Sequence, residues 1–271
     1  MSPLWRDEIG VHLSPRRLCI VRMKRGAKPT PGAEYEQEFG SPQTTDWSAA
    51  LETLDSILAQ PDWRGALLRV VVADCWARYA IVPWVATLSS TDERVGHARQ
   101  LLVSTYGEAV GDWEVRLSEV PPESPRVACA VPVALLESVR AVCIKQKIKL
   151  GSLQPHLVAA YAAWRHKLPP VGAWFVTADA GTLAAARIGR TGWDRVYSVR
   201  LGSDWARELR RLQTFGRLAS ANPDEGQVFV DAPEAWREVV GAEARDLQWL
   251  EDDAGPWTTL QRLGRARRYA A

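Results

Sequence analysis

The sequence predicts an α/β protein of two lobes, in which mixed β-sheets are flanked by helices. The main observation is a repeat: residues 9–22 and residues 174–188 each form an apolar strand, a short polar turn and a second apolar strand. A further strand and a segment with helical periodicity follow each copy. The run LLRVVVA at residues 67–73 is continuously apolar, as is typical of a strand buried on both faces of a parallel sheet. Antiparallel hairpins that lead into parallel strands predict mixed sheets in both lobes.

The first lobe is expected at residues 1–168, and local signals predict its elements in order. After the hairpin at 9–23 and an edge strand at 34–39, Thr45 and Asp46 are candidate N-caps of a helix that ends before Pro61. The buried strand at 67–73 comes next. The other predicted elements are strands at 79–85, 113–119, 126–131 and 149–154, and helices that run from a near capping box at Ser90–Glu93 to about Tyr106, from Pro132 onward, and over 157–167.

The second lobe, residues 169–271, is expected to be shorter and to begin after the proline-containing hinge at 168–171. Its hairpin is predicted at 174–178 and 183–188, with a third strand at 193–199. The later predicted elements are a helix capped by Ser203 and Asp204, a strand at 227–230, a helix at 233–240 and a short element at 246–250. The order therefore resembles that of the first lobe.

Composition and charge exclude several classes of protein. The net charge is only +2, so no overall basic field indicates a nucleic-acid partner. The N-terminal residues have no long apolar core of a signal peptide. No uncharged apolar run approaches the roughly 18–20 residues that a membrane helix needs. These features predict a cytosolic protein without a transmembrane span of its own.

The four cysteines and the four histidines give no metal or redox motif. No two cysteines have C-x-x-C spacing, so we expect neither zinc nor a disulfide framework. His12 is the one histidine in a turn of interest, and a hydrogen-bonded turn residue is a simpler interpretation of it than a catalyst. The sequence also lacks the Walker A, dinucleotide-binding, zinc-protease and nucleophile-elbow motifs, so no catalytic residue is assigned.

The turn Asp179-Ala-Gly-Thr182 is the one candidate phosphate site. An Asp at the end of a strand can orient water or hold Mg²⁺. Gly181 allows a tight turn whose N–H groups face a phosphate, and Thr182 can donate to a phosphate oxygen. The same residues also suit an ordinary hairpin turn, because Asp bonds its own backbone and Gly accepts positive φ. From the residues alone the plain hairpin is favoured.

Three stretches of the sequence resemble the PilM-type proteins of type IV pilus assembly and the cytoplasmic domain of the type II secretion protein GspL. They are the opening hairpin at 9–23, the segment 70–84 with its R-Y-x-x-x-P-W pattern, and the turn at 176–182. The resemblance covers nearly the whole chain in order and length, although each motif alone is weak. It implies two RNase H-like lobes of the actin-like ATPase superfamily, the second of them reduced.

The resemblance also implies a function. Proteins of this type are cytosolic scaffolds associated peripherally with the inner membrane through their partners. They bind the short cytoplasmic peptide of a bitopic PilN-like membrane protein and connect to pilus or secretion motor components. Some bind ATP between their lobes, so Ser14, Asp179, Gly181 and Thr182 carry over here as a vestigial cofactor site.

This sequence departs from the ATP-binding pattern of that family. The first turn has His12 and Pro15 where an Asp- and Gly/Ser-rich turn is expected, and it retains only Ser14. Pro15 has no N–H to offer to a phosphate. No Gly-Gly pair occurs in the last third of the chain, where Gly241 stands alone. We therefore expect weak binding of ATP with Mg²⁺ or none, and no hydrolysis.

Two alternatives stay open at this level. The protein could be an actin-like ATP-binding protein with weak or retained ATPase activity, for which the turn at 179–182 is the only support. It could also be an α/β module of another system whose docking face uses some of its 13 tryptophans. The sequence does not decide between a pilus and a secretion system.

Overall fold

The computed structural model describes residues 6–24, 30–39, 46–200, 207–208, 210–211, 214, 226–232 and 247–250. These residues form thirteen β-strands and four complete α-helices, arranged in two compact units. The predicted helix at 233–240 and the N-cap of the helix predicted after Ser203 lie outside the described residues. The described residues of the helix predicted after Ser203 are helical; they are residues 207, 208, 210, 211 and 214. No helix in the described ranges is long and apolar enough to cross a membrane.

The first unit contains a five-stranded mixed sheet in the order β3-β2-β1-β4-β8. Its strands are β1 (Glu8–Leu13), β2 (Arg17–Lys24), β3 (Thr30–Glu38), β4 (Leu67–Val72) and β8 (Lys149–Pro155). The first three form an antiparallel meander, whereas β4 runs parallel to both β1 and β8. The predicted opening hairpin, edge strand and central buried strand are therefore confirmed. The nearly continuous apolar run of β4 suits a strand that has a neighbour on both sides.

Three helices complete this unit: α1 (Ser48–Leu58), α3 (Val133–Lys145) and α4 (His156–Trp164). Helix α1 buries five apolar residues, among them Leu54, and it packs against β2 and α3. Its N-cap residue is Trp47, one residue after the predicted cap. The backbone N–H of Ser48 nevertheless donates to the Asp46 carboxylate at 2.8 Å, which lowers the pKa of Asp46. Thr45 lies outside the described residues.

The second unit repeats the sheet of the first. Its strands lie in the order β11-β10-β9-β12-β13, with antiparallel pairing of the first three and parallel pairing of the rest. Their bounds are β9 (Trp174–Asp179), β10 (Thr182–Ile188), β11 (Trp193–Arg200), β12 (Val228–Asp231) and β13 (Leu247–Trp249). The two sheets have the same order and directions, so the predicted repeat is confirmed at the level of topology.

A separate three-stranded antiparallel sheet, in the order β5-β7-β6, also belongs to the second unit. It contains β5 (Arg78–Val82), β6 (Trp113–Leu117) and β7 (Arg126–Pro132), and it packs on α2 (Thr91–Tyr106). The predicted capping box is confirmed at the start of α2: the N–H of Glu93 donates to Ser90 Oγ at 3.1 Å, and the N–H of Ser90 donates to Glu93 Oε2 at 2.9 Å. The sequence did not indicate that these strands form a sheet of their own.

The compact units are not continuous along the chain. Among the described residues, the first unit combines 6–76 with Val133–Trp164, and the second combines Ala77–Pro132 with the residues after 164. The predicted division after residue 168 follows chain order instead and places the three-stranded sheet in the first lobe. That division remains a prediction about the lobes, since grouping by compactness alone does not test it.

Candidate functional site

The turn between β1 and β2 is closed by the side chain of Ser14. Its hydroxyl donates to the carbonyl oxygen of Arg17 at 2.9 Å and accepts from the N–H of Arg17 at 3.0 Å. The N–H of Ser14 donates to the same carbonyl at 3.0 Å. Ser14 is only 1% exposed. Its hydroxyl therefore stabilises its own turn, and any phosphate at this position would compete with these hydrogen bonds.

His12 lies in strand β1, whereas the sequence suggested a turn. It stands opposite Cys19 of β2 and Val71 of β4 in the sheet and is fully buried. Residues two apart in a strand share a face, so Glu8 and His12 lie on the same face of β1. Glu8 uses this face for a bidentate ion pair, with Arg69 Nε at 3.1 Å and Nη2 at 3.2 Å from its two carboxylate oxygens. One face of the central strand is thus polar although it is buried.

Asp74 and His156 form a buried polar cluster with His12 in the first unit. Asp74 follows β4 directly after Ala73, and its two carboxylate oxygens each accept from the N–H of Leu157 at 3.1 Å. This contact supplies an acceptor to the first turn of α4, where the helix dipole also stabilises a negatively charged carboxylate. His156 Nδ1 lies 3.9 Å from Asp74 Oδ2, and the rings of His156 and His12 have their centroids 5.3 Å apart.

Sequence reasoning missed this cluster. A carboxylate straight after a buried strand is a signal that could have identified Asp74. Helix α4 offers a second signal, because it follows Pro155 of β8 without a Ser, Thr, Asp or Asn to cap it. A helix start without a local cap predicts that a remote group satisfies its N–H donors.

The Asp179–Thr182 turn is a two-residue hairpin loop in the second unit. Asp179 ends β9, Thr182 begins β10, and the two residues pair across the turn. Between them Ala180 has φ of 47° and Gly181 has φ of 73°, the left-handed conformations of a type I′ turn. Thr182 is buried and stands opposite Arg200 of β11. The structure therefore brings three of the four predicted cofactor residues together in one turn, and it places Ser14 in the other unit.

The R-Y-x-x-x-P-W segment has packing roles within the second unit. The guanidinium of Arg78 lies 5.6 Å from the ring centroid of Tyr106 and 5.4 Å from that of Trp113, within the range of cation–π contacts. Tyr79 is fully buried, and its carbonyl oxygen accepts from the hydroxyl of Tyr106 at 3.0 Å. Burial raises the pKa of Tyr106, so this phenol keeps its proton and remains a donor.

Comparison with known proteins gives structural matches but no sequence family. The chain matches no protein-family profile and no curated protein. The cytoplasmic domain of EpsL, an inner-membrane component of the type II secretion system of Vibrio cholerae, matches with a TM-score of 0.61 and 11% identity, over 98% of this chain and 96% of that chain. A PilM–PilN type IV pilus biogenesis complex matches with a TM-score of 0.66 and 11% identity, over 97% and 98%.

A third match is a protein from Bacteroides thetaiotaomicron that has an actin-like ATPase fold and unknown function. Its TM-score is 0.61 at 10% identity, over 97% of this chain and 98% of that chain. The chain has the actin-like ATPase fold. The fold class implied by the sequence resemblance is thereby confirmed. At 10–11% identity these matches establish the actin-like fold, but they do not establish any chemical activity.

Proposed function

We propose that this protein is a non-enzymatic adaptor of an inner-membrane assembly platform of the type IV pilus or type II secretion kind. In this role it binds the cytoplasmic segment of a PilN-like membrane protein. The observation that carries the proposal is the two-way coverage of the structural matches: the EpsL cytoplasmic domain and the PilM–PilN complex each match this chain over nearly their full length.

The proposal places the protein on the cytoplasmic face of the inner membrane. It is held there by its membrane partner and connects that partner to a pilus or secretion motor component. The three-stranded sheet and α2 form a part of the chain with its own buried core, which includes Leu102, Val115 and Ala128. A scaffold of separate cores can present several faces to several partners without a catalytic centre.

The two turns that could hold a nucleotide support an adaptor without ATPase activity. Ser14 donates its hydroxyl to its own hairpin, and Pro15 beside it has no N–H. The Asp179–Thr182 turn contains only two residues between its strands, so it offers few N–H groups to an anion. We infer that Asp179, Gly181, Thr182 and Ser14 are a vestigial nucleotide site and that ATP with Mg²⁺ binds weakly or not at all.

The partner proposal is tested by calorimetry. The probe is a synthetic peptide that covers the cytoplasmic segment of the bitopic membrane protein encoded beside this one. Saturable binding, absent with a scrambled peptide of the same composition, is the expected result. If the intact chain shows no heat of binding and does not co-purify with that membrane protein from its host, the adaptor function is refuted.

The nucleotide proposal has a separate test, so the two can fail independently. Thermal unfolding is followed with and without Mg-ATP for the natural chain, for Asp179→Ala and for Asp112→Ala, which removes an exposed carboxylate of the same unit. We expect ATP to leave all three midpoints unchanged. A rise in midpoint that Asp179→Ala abolishes and Asp112→Ala retains would favour the alternative of a working nucleotide site.

A further inference from the structure

Helix α3 ends with an apolar side chain in solvent. Ile144 is 77% exposed, more than any other large apolar residue in the described part of the chain. The buried residues of this helix are Leu135, Val139 and Cys143, so Ile144 lies away from the face that packs on the core. Single exposed apolar residues are common on proteins, and the charges around Ile144 therefore determine what it can contact.

Cations lie on both sides of Ile144 in the sequence. Four exposed basic residues are within five positions of it, namely Arg140, Lys145, Lys147 and Lys149. Lys145 forms an ion pair with Asp55 of α1, and Glu137 is an exposed anion earlier in α3. Within the described ranges, the other three basic side chains make no ion pair. Positive charge therefore exceeds negative charge in this stretch.

The turn after α3 holds these residues in place. The N–H of Ile148 donates to the carbonyl oxygen of Cys143 at 2.9 Å, and the N–H of Lys147 donates to that of Ile144 at 3.1 Å. These two bonds form a Schellman motif. Ile148 and Cys143 are both buried, so the motif directs its apolar side inward without Ile144. Ile144 is thus exposed at a well-bonded helix end.

Lys147 has a backbone conformation that suits glycine. Its φ is 55°, and the residue at this position of the motif is usually glycine. A lysine with this φ costs backbone free energy that a glycine would not. The stability of the turn therefore does not account for a cation at residue 147, whereas a role for its charge would.

We propose that the α3 end patch, which consists of Arg140, Ile144, Lys145, Lys147 and Lys149, docks on a membrane surface of anionic phospholipids. Ile144 enters the interfacial region of the bilayer, and the cationic groups around it bind lipid phosphates. The proposal goes beyond the adaptor function, in which a membrane protein holds the chain at the bilayer. It does not depend on that function, because the contact is with lipid.

The composition of the patch favours a lipid surface over other partners. Lysine side chains have apolar stems and mobile ammonium groups, so they can follow an irregular layer of headgroups while their stems cover apolar surface. A protein interface normally has a larger apolar core than one isoleucine. Binding of single-stranded nucleic acid uses aromatic stacking, and the patch has no aromatic residue.

The expected contact is weak and reversible. Each Lys or Arg near an anionic membrane surface increases partitioning by about fivefold. Insertion of Ile144 should add a factor of about ten. Contacts of this strength need a second signal for stable anchoring. A membrane protein bound to the same chain would supply that signal.

The test is sedimentation of the full-length protein with lipid vesicles in the absence of any membrane protein. We expect binding to vesicles of phosphatidylcholine with about 30 mol% phosphatidylglycerol, and a large loss of binding at about 0.5 M salt. Vesicles of phosphatidylcholine alone should bind little protein. Because no membrane partner is present, this result is separate from the test of the adaptor function.

Variants distinguish the patch from a general attraction between charges. Ile144→Ser changes no charge and should lower the partition coefficient by about tenfold. Lys147→Gln combined with Lys149→Gln should lower it by about 25-fold. The matched control is Lys24→Gln with Lys167→Gln, which changes the net charge equally outside the patch and should retain most of the binding. Lys147→Gly should weaken binding by about fivefold without lowering the thermal midpoint, because glycine suits this φ.

Several results would overturn the proposal. They are equal binding to neutral and anionic vesicles, binding that Ile144→Ser leaves unchanged, and equal losses in the lysine pair of the patch and in the control pair. Complete loss of binding in a combined variant, Arg265→Gln with Arg267→Gln and Arg268→Gln, would also refute it, because the lipid contact would then belong to the C-terminal residues.

Discussion

Substitutions at Gly181 and Gly96 give a direct test of the hairpin turn, because the two glycines have equally open surroundings but different backbone conformations. Gly181 lies in the β9–β10 turn with φ of 73°, whereas Gly96 lies inside helix α2. A Cβ atom added at either position would meet no other atom within 4 Å. Packing therefore contributes almost nothing to Gly→Ala at either site. The sign of the stability change depends on the backbone alone.

The structure predicts opposite signs for the two substitutions. An alanine in the left-handed region costs roughly 1–2 kcal/mol, offset by roughly 0.4–1 kcal/mol from the less flexible unfolded chain, so Gly181→Ala should lower the free energy of unfolding by about 1 kcal/mol. Gly96→Ala should raise it by about 0.5–1 kcal/mol, since glycine is a poor residue inside a helix. Both residues belong to the second unit, so the two variants are compared within the same compact part of the chain.

Urea unfolding followed by circular dichroism measures both changes, and each should shift the thermal midpoint by a few degrees. Gly181→Asn is a useful companion, because Asn tolerates positive φ and should lose less than Ala. Ala180→Asn should stabilise the protein for the same reason, as it replaces an alanine that already has φ of 47°. If Gly181→Ala is neutral while Gly96→Ala stabilises, the left-handed turn and the reasoning built on it are refuted.

Four further predictions concern single side chains. Ser90→Ala should cost about 1 kcal/mol through loss of the α2 cap, as measured by urea unfolding, and an unchanged midpoint would contradict the capping box. The N–H groups of Ser90 and its neighbour lower the pKa of Glu93, so its contribution is present above the ordinary carboxylate pKa and is lost as the pH falls through the lowered value. Glu93→Gln should therefore destabilise at neutral pH, and this difference should shrink on acidification. Leu68→Ala should cost about 2–5 kcal/mol by calorimetry, because Leu68 is fully buried in the inner strand β4, and a loss below 1 kcal/mol would place it outside the core. Burial raises the pKa of the Cys143 thiol to about 11, so it stays protonated at neutral pH and should resist alkylation until the protein unfolds, which mass spectrometry can follow.

The strands and hairpins could be predicted because their signals are local. The apolar run at 67–73 is a strand in the middle of the sheet, and the residues from Ser90 to Glu93 do cap α2. Strand pairing is not a local property. Strands β5, β6 and β7 each have a recognisable pattern, but no residue in them shows that they pair with one another rather than with β4. The separate three-stranded sheet was therefore not predictable from periodicity.

The residues of the candidate sites also differ in whether a local sequence signal could predict their positions. The Asp179–Thr182 turn was predictable because Asp and Gly at this spacing are a hairpin signal within four residues. His12 was placed in a turn because Ser14 and Pro15 follow closely, and the structure extends β1 up to Leu13. The grouping of Asp74 with His156 depends on the adjacency of β4 and β8, which brings together residues 82 positions apart (156 − 74). Such contacts follow from topology and have no signature in the sequence around either residue.

The order of strands in the first sheet also determines when the sheet can be completed during synthesis on the ribosome. Strand β1 is made first but occupies the centre of the sheet, and the outer strand β8, which pairs with β4, is made only after the whole segment Ala77–Pro132 has been synthesised. A nascent chain that has reached Pro132 already contains every strand of the three-stranded sheet together with α2. It still lacks α3, β8 and α4. The segment Ala77–Pro132 can therefore fold before the first sheet is complete, because β8 joins that sheet about a hundred and forty residues after the central strand β1 was made.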